Sequence, residues 1–253
     1  MPLYKTQAVI LKSQRWGEAD RIVTCYTEHV GKVRGIARGA RRMKSRFGSA
    51  LEPFRLIGLT LFEKNTETLA RVSQADIIEP FSKLSENLSL MTAAARMVNF
   101  IQGITPDRDP NQSTFHGLIN GLTFLSDGHD PGLCTLLFHI HILGHSGFRP
   151  QLDHCADCGK MFHAATIVRF SPQAGGAVCT ICQDKYHGRG LSLSPGSLAF
   201  IQQAKRLPFS KVIRLRADGR VREEVEQAIE AYVEHILGRT LPRMSLYSSV
   251  SHS

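Results

Sequence analysis

Four cysteines in the second half of the chain have the spacing of a metal site. Cys155 and Cys158 form one Cys-x2-Cys pair, Cys179 and Cys182 form another, and twenty residues separate the two pairs. Such spacing is typical of four-thiolate zinc sites, because two intervening residues let both sulfurs of a tight turn face one ion. Four protein ligands leave tetrahedral zinc no open position for water or substrate. We therefore predict one structural Zn²⁺ ion without a catalytic role.

Other uses of the cysteines are weaker interpretations. A thioredoxin-type redox pair needs a βαβ context, which the sequence does not indicate around either pair. His154 and His163 are alternative ligands, although His154 adjoins Cys155 and cannot easily face the same ion. The remaining two cysteines, Cys25 and Cys134, lie in apolar runs, where buried free thiols are common.

A second pattern is a basic segment near the start of the chain. No acidic residue occurs between Glu28 and Glu52, and fifteen consecutive positions hold seven cations: Lys32, Arg34, Arg38, Arg41, Arg42, Lys44 and Arg46. The formal net charge of +9 also favours polyanionic partners. A solvated loop that only aids solubility is the alternative, but a cluster of this density is the usual footprint of nucleic-acid contact. We predict that these seven side chains contact nucleic acid.

Two aromatic residues flank this segment. Trp16 and Phe47 have faces on which unpaired bases could stack. Most aromatic side chains of small barrels lie in the core, however, and we predict a core position for both.

The elements that must position these residues change character near residue 80. Before it, five short segments are rich in β-branched, apolar and aromatic residues, with turn residues between them: 4–11, 21–27, 32–37, 54–62 and 68–78. Five strands without an intervening helix indicate a small Greek-key barrel of the OB type, whose loops commonly hold single strands. An SH3-like barrel would have a similar pattern.

Helical periodicity follows the predicted barrel. Apolar residues recur at three- and four-residue steps from 84 to 101, behind a possible N-cap at Ser82 or Ser85. Further helices are predicted at 113–125 and 131–144, the latter apolar on nearly all faces and therefore buried. Ser194 is a candidate N-cap for a helix to about 207, and a last amphipathic helix over 221–237 should end at Gly238.

The predicted fold class is thus α+β and multidomain, with a five-stranded OB-type barrel followed by a helical bundle that carries an inserted four-cysteine zinc module. The expected domains are the barrel at 1–80, a helical domain at 81–146, the zinc module at 147–190 and C-terminal helices at 191–253 that pack on the helical domain. No secretory signal is apparent, and the longest apolar stretch is too short to cross a bilayer. We expect a cytoplasmic, nucleoid-associated protein.

Several motifs resemble one family. The segments are GEADR at 17–21, GK at 31–32, GARRMKSR at 39–46, LEPF at 51–54, GFRPQLDHC at 147–155 and FSPQAGG at 170–176. They are similar to segments of the RecO family of DNA-repair proteins, and the resemblance covers nearly the whole chain.

The resemblance implies a recombination mediator that binds single- and double-stranded DNA and anneals complementary strands, so we expect the nucleic acid that contacts the seven cations to be DNA. It implies RecR as a partner, contact with the C-terminal tail of single-stranded DNA-binding protein (SSB), and help in loading RecA recombinase onto SSB-coated DNA. Some family members lack a complete cysteine set, whereas this sequence has all four cysteines.

Two rival functions can be weighed from the residues. A metal nuclease needs an open, carboxylate-lined site, and the chain has neither a His-Glu-x-x-His motif nor a tight acidic cluster in an apolar setting. An RNA-binding protein with a zinc ribbon and an OB barrel fits the same basic loop and stays the alternative. We expect a binding protein without enzymatic activity.

Overall fold

The computed structural model describes residues 3–63, 69–162, 167–186, 190–217 and 219–240. The chain divides into two compact units, one that runs up to Pro131 and a second that begins at Gly132. The first unit contains the barrel and two helices, and the second contains the paired cysteines.

Five strands form a closed barrel in the order β1-β2-β3-β5-β4. Their bounds are β1 Leu3–Trp16, β2 Asp20–Thr27, β3 Gly31–Ala37, β4 Leu56–Phe62 and β5 Ala70–Glu79. Neighbouring strands are antiparallel except β3 and β5, which close the barrel in parallel where Gly35 lies beside Ala70. The predicted OB-type barrel is confirmed; the start of the predicted 68–78 strand lies outside the described residues.

The barrel is held by a continuous apolar core. Its buried members include Ile10, Val23, Ile57, Leu59 and Val72, all at most 1% exposed. They come from four strands, and each strand contributes because its alternate residues point inward. A core of this kind stabilises a barrel without any metal or disulfide.

Strand β1 extends farther than the sequence predicts. We expected it to end at residue 11, but it continues through a bulge between Ile10 and Lys12 and pairs with β2 as far as Trp16. Residues 12–16 are polar or exposed on both faces of this hairpin extension. Hydropathy therefore gave no strand signal there.

Two helices complete the first unit: α1 Leu88–Ile104 and α2 Gln112–Ser126. The N-cap of α1 is Asn87, whose side chain accepts hydrogen bonds from the backbone of Ser89 and Leu90. The N-cap predicted at Ser82 or Ser85 is wrong, because residues 82–85 form a separate short 3₁₀ turn.

The α1–α2 connection packs closely against the barrel. Gly31, at φ 75°, lies so near that an added Cβ would stand 2.5 Å from the backbone of Asp109. Arg108 pairs with the buried carboxylate of Glu63, and its backbone N–H donates to the carbonyl of Lys32. These contacts fix β3 against the connection.

The second unit combines helices with a small sheet. Its helices are α3 Pro131–His145, which begins at the unit boundary, α4 Pro195–Arg206, α5 Phe209–Val212 and α6 Gly219–Leu237. The strands β6 Val168–Ser171, β7 Gly176–Val178 and β8 Leu191–Leu193 form an antiparallel sheet in the order β7-β6-β8. Helix α3 is buried from Leu133 to Leu143 except at His141, as its apolar sequence predicts.

The start of α4 is tied to α6. Ser194 is the N-cap, as predicted, and its hydroxyl accepts from the backbone of Ser197 at 3.3 Å. The Glu224 carboxylate accepts from the Ser194 backbone at 2.8 Å and from the Ser197 hydroxyl at 2.6 Å. Helix α6 thus supplies an anion to the positive end of α4.

Candidate metal centre and nucleic-acid interface

Each cysteine pair lies in a tight hydrogen-bonded turn. In the first, the Gly159 backbone donates to the carbonyl of Cys155 at 3.0 Å, with Gly159 in the left-handed region at φ 74°. In the second, the carbonyl of Cys179 accepts from the backbones of Cys182 and Gln183 at 3.1 and 3.0 Å. These turns direct both sulfurs of each pair toward one point.

The four sulfurs meet, as the spacing predicts. The thiol sulfurs of Cys155, Cys158, Cys179 and Cys182 all lie within 4.8 Å of one another. The Sγ atoms of Cys158 and Cys179 are 3.8 Å apart, and sulfurs bound at ~2.3 Å to one tetrahedral zinc ion lie about 3.8 Å apart. The four residues, called here the cysteine cluster, can hold one metal ion.

Backbone N–H groups favour the thiolate form, which a metal requires, at two of the four cysteines. Burial opposes ionisation of Cys155, but the N–H groups of Cys158 and Cys179 point at its sulfur and lower its pKa to about 6. The Cys179 N–H lies 3.3 Å from that sulfur. The pKa of Cys179 is also lowered, first by the Cys182 N–H. The turns therefore favour ionisation of Cys155 and Cys179, whereas the pKa of Cys182 is raised, first by its hydrogen bond with Asp157.

Asp157, between the first two cysteines, links the two turns. Its carboxylate accepts from the Lys185 ammonium at 2.6 Å and the Tyr186 hydroxyl at 3.1 Å. The Cys182 thiol and then Lys185 lower the pKa of Asp157 to about 2. We did not predict this contact, although a carboxylate inside a Cys-x-x-Cys turn is the signal that could have suggested it.

The histidines are separate from the cysteine cluster. His154 pairs with Met161 in an isolated β-bridge and is not among the four clustered ligands. His163 lies outside the described residues. On α3, His139 is buried and His141 packs against the Phe209 ring at 4.6 Å. Burial, followed by the nearby His145, lowers the pKa of His141 to about 4.

Six cations of the basic segment lie on the surface of the first unit. Arg34 is on β3, and the other five are in the loop between β3 and β4. Within the described residues, none of the six forms an ion pair. They are called here the cationic cluster: Arg34, Arg38, Arg41, Arg42, Lys44 and Arg46. Their charge is exposed and uncompensated, which suits contact with a polyanion.

The loop that carries the cluster is fixed to the barrel. The backbone of Gly39 donates to the Asp20 carboxylate at 2.8 Å, and that of Arg41 donates to the Ala19 carbonyl at 2.9 Å. Phe47 and Leu51, 3% and 2% exposed, insert into the barrel core. The cations are therefore presented from a held loop.

Lys32 differs from the other six cations. Its ammonium group donates to the carbonyls of Gln102 and Thr105 at 2.9 and 2.6 Å and pairs with Asp107 at 3.2 Å. The side chain is 13% exposed. Lys32 thus fastens α1 to the barrel, and the sequence alone could not distinguish it from its neighbours.

Of the two aromatic residues that flank the basic segment, one is buried and the other is exposed. Phe47 is buried in the barrel, as predicted, with the Arg46 guanidinium 4.9 Å from its ring centre. Trp16 is 56% exposed at the end of β1, so its predicted core position is wrong. The reason is the extension of β1 beyond the barrel core.

Comparison with known proteins assigns the chain to a family. The model described as "Recombination protein O N terminal" matches residues 1–81, and "Recombination protein O C terminal" matches residues 85–245. The chain belongs to the RecO family. This membership, which the motifs suggested, indicates a role in recombination repair.

Curated RecO relatives extend over nearly the full chain. A protein of Rubrobacter xylanophilus named DNA repair protein RecO is 34% identical over 238 residues, 92% of each chain. One from Frankia casuarinae is 35% identical over 95% of this chain and 96% of its own. One from Symbiobacterium thermophilum is 31% identical over 96% and 95%. In the described part of this chain, no helix is both long and apolar enough to cross a membrane.

Proposed function

We propose that this chain is a non-enzymatic recombination mediator that binds single- and double-stranded DNA through the cationic cluster and anneals complementary strands. The observation that supports this most directly is the exposed charge of six cations on the barrel, none of which forms an ion pair with another described residue. Lys32 is left out of the proposed interface because its ammonium group is engaged within the unit.

Charge neutralisation is the physical basis of the proposed annealing. Two complementary strands repel one another until cations displace their counterions. A fixed loop with five cations, next to a sixth on β3, can contact one strand and lower the cost of bringing a second one near. Annealing forms no covalent bond, so it requires no catalytic side chain.

We further propose that the cysteine cluster holds one structural Zn²⁺ ion. Four thiolates in a tetrahedral set suit zinc, and they occupy all of its usual positions. Such an ion would supply stability to the segment 147–190, called here the cysteine module. Activation of water is not part of this proposal.

The family supplies the proposed partners. We propose that the protein works with RecR, contacts the C-terminal tail of SSB, and thereby helps RecA load onto SSB-coated DNA at the nucleoid. We also propose the division into a barrel (1–80), a helical domain (81–146), the cysteine module and C-terminal helices (191–253) as the working domain map.

A salt titration tests the DNA interface. Anisotropy of a labelled oligonucleotide should show affinity falling on the order of a hundredfold between 50 and 200 mM salt if about five cations contact a single strand. Changing Arg41, Arg42 and Lys44 together to Gln should reduce the slope of log affinity against log salt by about 2.

The control for charge is a triple variant in the second unit. Arg206, Lys211 and Arg214 are exposed, and their change to Gln alters the net charge equally. An unchanged slope in the loop variant with a reduced slope in this control would refute the barrel interface. Strand annealing by wild type, lost in the loop variant, would support the mediator function.

The RNA-binding alternative is tested by competition. An unlabelled DNA strand should displace the labelled oligonucleotide at least as well as an RNA strand of matched sequence does. The wild-type protein should also anneal the complementary DNA strands. A strong preference for RNA without annealing would contradict our proposal. Cleavage of either strand with Mg²⁺ or Mn²⁺ would contradict the non-enzymatic assignment.

A further inference from the structure

The exposed indole of Trp16 is not explained by the packing of the barrel. It is the only tryptophan in the chain, and 56% of its surface is accessible. A large aromatic side chain that is more than half exposed gives up much of the stabilisation that burial would provide. Single exposed apolar side chains are common on protein surfaces, so it is the charged groups beside Trp16 that indicate a contact there.

The hairpin that carries Trp16 is joined to the cationic loop. Trp16 pairs directly with Asp20 across β1 and β2, and side chains of directly opposed residues lie on the same face. The Asp20 carboxylate accepts from the Gly39 backbone at 2.8 Å, where the cationic loop begins. The indole therefore lies on the face of the hairpin that holds the loop.

A second contact places one guanidinium group of the cationic cluster at the turn that follows Trp16. The Arg41 guanidinium donates to the Gly17 carbonyl at 3.2 Å, one residue beyond Trp16. Arg15, just before Trp16, is exposed as well. Glu18 is the exposed acidic residue of this turn. Because its carboxylate repels phosphate, we expect the phosphate chain to lie nearer to Arg41 than to Glu18.

We infer that Trp16 is a stacking platform for an unpaired nucleobase of a single DNA strand whose phosphates contact the cationic cluster. This inference rests on the proposed DNA-binding function and deepens it. An indole face beside guanidinium groups matches the two parts of a nucleotide, a flat base and an anionic backbone. Bases within a duplex are already stacked on one another, so this position selects unpaired strands.

The single tryptophan reports directly on its own contact. Addition of oligothymidylate to the full chain should quench the intrinsic fluorescence of Trp16, and a blunt duplex of equal length should quench it much less. The quenching should follow the same binding curve as the anisotropy of the oligonucleotide. Binding without any change in the tryptophan signal would overturn the inference.

Variants separate stacking from charge. Trp16→Ala should weaken binding of a single strand by about fivefold to a hundredfold, because base stacking contributes about 1–3 kcal/mol per base. The salt slope should stay unchanged, since no cation is removed. Trp16→Phe, which keeps an aromatic face, should recover most of the lost affinity.

A matched control lies in the cationic loop. Met43 is fully exposed and apolar but has no aromatic face, so Met43→Ala should leave affinity unchanged. Equal losses of single-strand affinity in Met43→Ala and Trp16→Ala would indicate a contribution of apolar surface in general and would overturn the stacking role. Unchanged single-strand affinity in Trp16→Ala would overturn it too, while the proposed function would stand. If wild type binds no oligonucleotide at low salt, the proposed function fails first.

Discussion

The barrel and the cysteine module are stabilised by different means. Within the described residues, sixteen buried apolar residues form the barrel cluster, whereas the cluster around the cysteines has three buried members, Cys155, Val178 and Cys182, with partly buried residues packed against them. Apolar burial stabilises roughly in proportion to the buried area, so it contributes more to the barrel cluster than to the cluster at the cysteines. The barrel can therefore carry an exposed charged loop, while we expect the cysteine turns to depend on metal ligation.

The largest expected effect is loss of the proposed zinc ion from the cysteine module. Cys158→Ser should reduce bound zinc from about one ion to near zero, measured by elemental analysis, and should lower the thermal stability of the second unit. Metal binding in four-ligand sites contributes about 10–16 kcal/mol, as much as the stability of a typical domain. DNA affinity through the barrel should change little.

Cys25 provides the matched control for this substitution. It is buried in the barrel core, where burial raises the pKa of its thiol to about 12. Cys25→Ala should therefore leave the zinc content unchanged. Unaltered zinc and melting in Cys158→Ser would refute both the ligand assignment and the contrast between the two regions.

The second prediction concerns the barrel core. Ile57→Ala should lower the free energy of unfolding by about 2–5 kcal/mol, because Ile57 is fully buried and its removal leaves a cavity. Zinc content should be unchanged. Its strand partner Ile77, 42% exposed, is the control, and Ile77→Ala should cost well under half as much. Loss of zinc in Ile57→Ala would show that the two regions do not stabilise themselves separately.

A smaller effect is expected at the α4 N-terminus. Although burial opposes its ionisation, hydrogen bonds from Ser197 and Ser194 lower the pKa of Glu224 to about 2, from an ordinary value of 4.5. Glu224→Gln should cost about 1.5–3 kcal/mol at neutral pH, the range for hydrogen bonds to a charged group. Because the folded-state pKa is depressed, this stabilisation is complete above pH 4.5 and is lost as the pH falls toward 2.

Denaturant titrations at several pH values measure this loss. The difference between wild type and Glu224→Gln should shrink between pH 4.5 and 2, because the wild-type carboxylate becomes protonated in that range. Glu226, in a half-exposed pair with Arg222 at 2.8 Å, is the control. Glu226→Gln should cost at most about 0.5 kcal/mol. A pH-independent difference at Glu224 would contradict its role as a charged cap.

The sequence predicted what depends on short-range pattern. Residue spacing identified the cysteine cluster, and alternation and helical periodicity located the barrel and the helices. It failed where position depends on contacts distant in the chain. Lys32 and Arg34 have the same charge two residues apart, yet it is Lys32 that meets carbonyls about 70 residues away. Trp16 was misplaced because a strand extension beyond the core has no hydropathy signal.

The smallest expected effect follows from that difference between cations. Arg42→Gln and Lys44→Gln together should change the free energy of unfolding by less than about 0.5 kcal/mol, because both side chains are exposed and form no ion pair within the described residues. Lys32→Gln should cost about 1–3 kcal/mol, since it leaves the carbonyls of Gln102 and Thr105 without their charged donor.

DNA affinity should respond in the reverse order. It should fall in the double variant and change little in Lys32→Gln. Parallel measurements of denaturation and anisotropy check both halves. If the double variant is as unstable as Lys32→Gln, the cationic loop is part of the barrel's support, and reduced DNA binding could no longer be assigned to charge alone.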